Sequence, residues 1–385
     1  MVKAQFKDLF LTVAFLLMIA GVGLIQAGIE IAGGENPLIF SLFRQRPTAA
    51  GLRSLEKDME NANWLSQLSQ PWMRCTQFAL LKETGDKALM GRESWFFYRP
   101  SVQYLVEPWP LAGVAADAHG DAVSAIRTFR DRLAERGIQL LLIPAPGKES
   151  IYPQYLTARA YQAKTPVYEH TRTILKQLRE AGVEILDLYT VYKEAIEKPN
   201  ENRIPFYLSQ DTHWSPTGLE LAAQAAALRI LERGWIKKGT SEYRLKPITL
   251  QRQGDIVRMI NLPSSERIFT PEEVHCAQVI RSDNGELYRD SPDAEILVMG
   301  DSFLRIFERD EPKAAGFIAH LAYELRTPLT SIVSDGGAST LVRQELSRKS
   351  ALLAGKKLVI WEFADRDIRF GTEGWQDVPL PAKAQ

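Results

Sequence analysis

An almost unbroken apolar run from Leu9 to Ile25 opens the chain, with Lys3 and Lys7 before it and Glu30 and Glu35 after it. That length lets one helix cross about 30 Å of hydrocarbon. Positive charge ahead of the run predicts an N-terminus in the cytoplasm and everything beyond roughly residue 30 on the far side of the membrane. The small-x-small site of a cleaved signal peptide is not evident, because Ile25-Gln26-Ala27 and Glu30-Ile31-Ala32 both fail at the first small position. Residues 1–30 are therefore expected to be an uncleaved signal anchor.

Residues 31–90 form a lead-in with helical stretches, and Gly91–Tyr98 reads as a turn followed by an aromatic strand. From about residue 119 the pattern alternates. Ala122–Arg136 has helical apolar spacing and leads through Gly137 to the all-apolar strand around Ile138–Ile143. A helix near Val167–Glu180 leads through Gly182 to a strand at Val183–Leu188. Ser215 and Pro216 are an N-cap and a first helical residue, opening a helix that runs to about Arg233 and stops at Gly234. Residues 240–292 are polar and irregular, the pattern of an insertion of loops and short strands. The strand Ile296–Met299, a helix near Pro312–Leu325, a strand at Ser331–Val333, a helix near Ser339–Leu353 and a strand at Lys357–Trp361 complete the series. Short apolar strands between helices predict an α/β fold, with a parallel sheet covered by helices on both faces. Ligands of such sheets sit beyond the carboxyl ends of the strands.

Composition narrows the function. Acidic and basic residues balance at 47 each over 385 residues, so no field invites nucleic acid. Five histidines, His119, His170, His213, His275 and His320, limit any imidazole chemistry. The two cysteines, Cys75 and Cys276, suit an exported protein. Pairing them would close a long loop worth about 4–5 kcal/mol in the chain-entropy account; two separate buried thiols are the alternative.

The chemistry rests on two motifs, Asp211-Thr212-His213-Trp214 and Gly300-Asp301-Ser302-Phe303. A serine hydroxyl is a weak nucleophile until an imidazole takes its proton, and a carboxylate must hold that imidazole in the right tautomer. Two residues apart in an extended segment, Asp211 and His213 leave the same face. Ser302 follows a buried strand, where amides at a helix start can also serve an oxyanion. Acyl transfer through a serine ester is the chemistry this set can perform.

The order of the motifs, Asp-His first and Gly-Asp-Ser last, resembles the alginate O-acetyltransferase family (AlgJ- and AlgX-like) of SGNH-hydrolase-like polysaccharide O-acetyltransferases, in which the usual SGNH order is permuted. Matching segments include Gly91–Tyr98, Ile143–Lys148 with Tyr152-Pro153, Gly254-Asp255-Ile256, Ser334–Ala338 and Val359–Arg366. The resemblance spans roughly residues 60–370. With the chain ending at Gln385 there is no room for the extra carbohydrate-binding module of the AlgX-like form, so the membrane-anchored AlgJ-like form is the closer match. It implies a permuted SGNH-like (flavodoxin-like) domain over 91–375, with 240–292 as its insertion. It further implies a triad of Asp211, His213 and Ser302, an acetyl-serine intermediate and a polysaccharide acceptor, alginate first. A membrane-bound O-acyltransferase partner would supply acetyl groups to a periplasmic domain anchored in the inner membrane. No cofactor and no metal is implied.

Lys148, Trp214, Arg343, Trp361 and Arg366 are candidates for gripping an anionic polymer, since aromatic faces stack on sugar rings and arginine forks pair with carboxylates. Trp361 also continues a buried strand, a core position. Three rival readings stand. Asp-x-His with a later Gly-Asp also opens a metallophosphoesterase signature, but Gly254-Asp255 has Arg258 where a second acid belongs, and no Gly-Asn-His follows. A plain acetyl esterase would use the same triad. A non-catalytic, polymer-binding member of an export complex is the third.

Overall fold

The structure is a computed structural model that describes residues 2–43, 48–107, 120–162, 169–198, 204–263, 265–335 and 337–381. It divides into two compact units, Met1–Glu83 and Thr84–Gln385.

The first unit holds helices α1 (Val2–Ala32), α2 (Ala49–Ala62) and α3 (Trp64–Leu81). Within α1, Leu9–Ala32 is long and apolar enough to cross a membrane. The Trp64 amide donates to the Gln26 side-chain oxygen at 2.9 Å, tying α3 to α1.

The second unit is built on a five-stranded parallel sheet. Its chain order runs β1 (Ala88–Met90), β2 (Phe96–Tyr98), α4 (Arg99–Val106), α5 (Ala122–Ala134), β3 (Gln139–Ala145), α6 (Lys148–Ile151), α7 (Pro153–Leu156), α8 (Glu169–Glu180), β4 (Glu184–Ile185), α9 (Leu188–Glu197) and α10 (Pro216–Glu232). It continues with β5 (Tyr243–Arg252), α11 (Asp255–Ile260), α12 (Ser265–Ile268), β6 (Glu272–Arg281), β7 (Ile296–Gly300), α13 (Ser302–Arg305), α14 (Phe317–Leu325), β8 (Thr330–Val333), α15 (Leu341–Arg348), β9 (Leu358–Ala364) and α16 (Asp367–Phe370). The sheet order is β4-β3-β9-β7-β8. Side chains alternate between the faces, so each strand feeds two cores. Leu141, Ile143, Val298 and Ile360 meet Ala222 and Ala226 of α10 and Ile318 and Leu321 of α14. Leu140, Leu142, Met299, Val359 and Trp361 meet Ile126 and Phe129 of α5, Leu175 of α8 and Val342 of α15. This two-sided burial is why the strands read as apolar runs rather than alternating ones.

Most sequence-based elements hold; the helix expected near Pro312–Leu325 begins only at Phe317, after Gly316 as its N-cap, and other adjustments concern three further regions. The strand expected at Val183–Leu188 shortens to Glu184–Ile185, because the Asp187 carboxylate accepts from the Thr190 amide and caps α9. Of the helix expected from Val167, residues 167 and 168 lie outside the described residues. Most consequentially, the region expected to hold only loops and short strands contains a long antiparallel hairpin. Its ten-residue strands β5 and β6 pair from Tyr243↔Arg281 to Arg252↔Glu272. Most of the first half of β5 is solvent-exposed, Arg244 and Lys246 included, which gave the segment its polar look.

Of the two alternatives for the cysteines, Cys75 and Cys276 stand as separate free thiols, Cys75 part-buried and Cys276 buried. Cys276 points from β6 into the apolar core, where burial pushes its thiol up to about 12. A thiol so enclosed is a packing group.

Candidate active site

Ser302 lies two residues beyond the end of β7, at the carboxyl edge of the sheet beside the central strand β9. The Asp301 carboxylate fixes this turn. One oxygen accepts from the Phe303 amide at 2.8 Å and the other from the Ala364 amide at 3.1 Å, so the ends of β7 and β9 are pinned together. Ser302 itself stays partly exposed, whereas Asp211 and His213 are buried.

Asp211 and His213 arrive on the loop between α9 and α10. This loop is not the extended segment expected. Tyr207 and Trp214 form an antiparallel bridge across it, and the Asp211 carboxylate accepts from the His213 main-chain amide at 3.2 Å. That turn brings Asp211 Oδ1 to 2.6 Å from His213 Nδ1, leaving Nε2 at 2.8 Å from Ser302 Oγ. The structure brings these three side chains, each singled out from the sequence, to one place.

The loop is held from two sides. Lys148, at the start of α6, donates to the carbonyls of Leu208, Ser209 and Asp211 at 3.0, 2.9 and 2.8 Å. Opposite, residues at the base of the β5–β6 hairpin take the amides. Glu272 accepts from the Ser209 amide and hydroxyl and from the Gln210 amide, while Asp255 accepts from the Thr212 amide and hydroxyl. The Arg252 Nε and the Asp255 amide both donate to the second oxygen of Asp211, at 2.9 and 3.2 Å.

Charges follow this wiring. Burial alone would raise the Asp211 carboxyl, but its bond to His213, the charge there and the Arg252 guanidinium hold it well below the ordinary range. Burial works against a charged His213, yet Asp211, then Asp255 and Asp301, leave it raised. Asp255 is raised by burial and by the nearby Asp211 charge.

Asp211, His213 and Asp255 offer ligand atoms within 4.8 Å of one another, close enough for a cation. The residues do not fit one. Asp211 is committed to His213, Arg252 and an amide, Asp255 is committed to Thr212, and a guanidinium stands against the carboxylate a metal would need. The metallophosphoesterase reading fails on this wiring. The arrangement suits proton transfer between a carboxylate, an imidazole and a hydroxyl.

Four of the five proposed sugar contacts are corrected. Trp214 is fully buried, stacked on Phe317 at 5.6 Å and edge-on to Phe303 at 5.1 Å. Trp361 is equally buried and donates its ring N–H to the Ala338 carbonyl. Arg343 is buried over the Trp361 ring and donates to the Ser339 carbonyl, and desolvation lowers its pKa to about 10. Lys148 is buried and shapes the loop. Only Arg366, which follows β9, keeps partial exposure at the strand ends, with its guanidinium over the Tyr98 ring. Arg252 and Glu272 were not singled out from sequence at all. Asp255 was legible only as part of the Gly254-Asp255-Ile256 segment and of the rejected metal signature, not as a partner of the Asp211 loop.

Known proteins agree with this fold. A family model described as "SGNH hydrolase-like domain, acetyltransferase AlgX" matches residues 88–365. A probable alginate O-acetylase AlgJ of Pseudomonas putida is 24% identical over 298 residues, covering 75% of this chain and 72% of that protein. A probable alginate O-acetylase AlgJ of Azotobacter vinelandii is 21% identical over 342 residues, covering 85% and 82%. Among solved structures, the O-acetyltransferase domain of Pseudomonas putida AlgJ superposes with a TM-score of 0.58 at 23% identity, covering 74% of this chain and 92% of that one. Pseudomonas aeruginosa AlgX superposes with a TM-score of 0.53 at 18% identity, covering 72% and 62%. With a parallel sheet of the same kind and a family match over most of its length, the chain belongs to the SGNH hydrolase-like acetyltransferase family of AlgX.

Proposed function

We propose that the protein is an O-acetyltransferase that acetylates hydroxyls of an exopolysaccharide, alginate first among them, through an acetyl-serine intermediate. The observation that carries this is the continuous line from Asp211 through His213 to a partly exposed Ser302, with contacts of 2.6 and 2.8 Å. Family membership and the alginate O-acetylase names of the relatives support the acetyl group and the polymer.

In this reading His213 Nε2 takes the proton of Ser302 as its oxygen attacks the donor's acetyl carbonyl. The Ser302 amide supplies one donor to the oxyanion. His213 returns the proton to the leaving group, and the acetyl ester remains on Ser302. A sugar hydroxyl then gives its proton to the same imidazole and attacks the ester, the acetyl–Oγ bond breaks, His213 returns the proton to Ser302 Oγ, and the sugar leaves acetylated. Asp211 holds the tautomer that exposes a basic Nε2 and balances the imidazolium that forms. Arg366, partly exposed over Tyr98 at the same edge of the sheet, is the candidate contact for a sugar carboxylate.

The apolar Leu9–Ala32 stretch supports an anchor in the inner membrane with the catalytic unit in the periplasm. A membrane-bound O-acyltransferase would then deliver acetyl groups to it. Alkaline phosphatase fused after residue 40 should be active; an inactive fusion reverses that topology.

The decisive experiment uses the full-length protein in detergent with a chromogenic acetyl ester. Acetyl release should vanish in Ser302→Ala and His213→Ala, and mass spectrometry should find the acetyl adduct on Ser302. Added oligosaccharides should divert acetyl from water to sugar. Full activity in Ser302→Ala would remove the serine mechanism.

A further inference from the structure

Two carboxylates, not one, approach the same nitrogen of His213. Asp211 Oδ1 is 2.6 Å from Nδ1 and Asp255 Oδ2 is 3.7 Å from it. Asp301 adds a third negative charge that favours a protonated ring. Such a cage suits an imidazolium but not a base, because a ring held protonated cannot accept the serine proton.

One cation sits on the carboxylate side of this cage with a directed contact. Arg252, the last residue of β5, donates through Nε to the far oxygen of Asp211 at 2.9 Å. Its side chain is about nine-tenths buried. The guanidinium lies 5.2 Å from the centre of the Phe307 ring, and Asp310 stands 3.7 Å from its other end. Lys148 is also nearby, but its three bonds go to main-chain carbonyls rather than to Asp211's carboxylate, and Arg366 acts on Asp301 rather than on Asp211. Glu272, the other charged group on the loop, is committed to the Ser209 and Gln210 amides.

We propose that Arg252 is a positioning residue that lets two carboxylates flank His213 while leaving its imidazole free to take the Ser302 proton. The antiparallel hairpin thus does more than decorate the sheet. It delivers both the second carboxylate, Asp255, and the cation that offsets it, three residues apart across the turn out of β5. The proposal rests on the serine-ester reading above and adds to it a role for the insertion.

The sign of the effect follows from charge. Removing a cation near His213 stabilises its protonated form, so activity should require a higher pH. Removing the Asp255 charge should do the reverse. Arg252→Gln is expected to move the midpoint of the acid limb of acetyl release upward by about one pH unit. At neutral pH kcat should fall about tenfold, with KM for a small acetyl ester within about twofold of the parent. Arg252→Lys keeps the charge and should keep the midpoint near its original place. Adding Asp255→Asn to Arg252→Gln, which leaves an acceptor for the Thr212 amide, should return the midpoint downward.

The experiment pairs the pH–rate profile of the full-length protein with an NMR titration of the His213 ring in the same chains. A role confined to holding the hairpin predicts lost activity at every pH with an unmoved midpoint and no rescue by Asp255→Asn; that outcome would overturn the proposal. Should Arg252→Gln fail to fold, Asp255→Asn alone must lower the midpoint, and no shift there sinks the idea equally. Full acetyl release by Ser302→Ala would defeat the serine reading by itself, while the His213 titration still decides whether Arg252 sets the ring's proton affinity.

Discussion

The ammonium of Lys148 lies 2.8 Å from the main-chain oxygen of Asp211, within the turn that carries the acid to its histidine. With Leu208 and Ser209 it gathers three inward-facing carbonyls, beside the rings of Trp95 and Phe97 at 5.5 and 5.3 Å. Burial lowers its pKa to about 8, a desolvation cost that the three carbonyls offset. Lys148→Met would leave those carbonyls without a donor. We expect a loss of about 2–3 kcal/mol in stability and at least about a tenfold fall in kcat/KM for acetyl release, because the acid and base share that loop. Thermal melting and steady-state kinetics check both; an unchanged melt with a raised KM for polymer alone would return Lys148 to substrate contact.

His213 gives a pH prediction with opposite signs for activity and stability. Its folded-state pKa is raised above 6.5, since Asp211, Asp255 and Asp301 together outweigh burial. Serine activation needs the neutral ring, so acetyl release should rise with pH along a limb whose midpoint lies above 6.5. The stability that His213 contributes is complete below its unfolded value near 6.5 and is lost as pH rises through the folded value. Activity should therefore climb while this contribution to stability declines. His213→Gln should flatten the decline, and equal pH slopes of melting temperature in parent and variant would contradict the assignment.

What the sequence disclosed and withheld separates along physical lines. The strands around Leu141, Val298 and Ile360 were legible because burial on both faces leaves an unmistakable apolar run. Asp211, His213 and Ser302 were legible because each sits in a short motif bound to a strand end or a helix cap. Arg252 and Glu272 were invisible: each meets the catalytic loop only because β5 and β6 pair in one register over ten residues, and half of β5 looks like surface. Trp214 and Arg343 misled because residue type suggests sugar contact, whereas their surroundings decide exposure. Trp214 sits between Phe303 and Phe317, and Arg343 is committed to a carbonyl and two indole rings.

Gly254 brings the hairpin's exit against the loop that carries Asp211 and His213. A β-carbon there would stand 2.0 Å from the Gln210 carbonyl oxygen and 2.7 Å from the Gln210 Cβ, with backbone rather than a pliable side chain in the way. Gly254→Ala must push apart the segments that carry Arg252, Asp255 and Asp211. Overpacking of this kind costs about 1–3 kcal/mol. The expected outcome is a lower melting temperature together with a fall of about tenfold or more in acetyl release. Parent-like kinetics in a folded Gly254→Ala would mean that the hairpin can shift without disturbing Asp211.

Glu362, buried in β9, tests how the acidic surroundings of the serine turn are tolerated. One of its oxygens accepts from the Asp301 amide at 3.2 Å, and the other has no hydrogen-bond partner among the described residues. Burial, then the neighbouring Asp301, push its pKa well above the usual carboxyl value, which favours the neutral acid. For a raised carboxyl the stability contribution is whole below about 4.5 and drains as pH rises toward the folded value. Glutamine matches the neutral acid in shape and keeps an acceptor for the Asp301 amide. Glu362→Gln should therefore melt like the parent near pH 4, melt higher than the parent near pH 8, and retain its acetyl release throughout. The pH slope of melting should become shallower, with Glu149 and Glu308, both raised to about 8, supplying part of what remains. A Glu362→Gln protein that melts lower than the parent at pH 8 and loses activity there would show that the ionised carboxylate is what the serine turn requires.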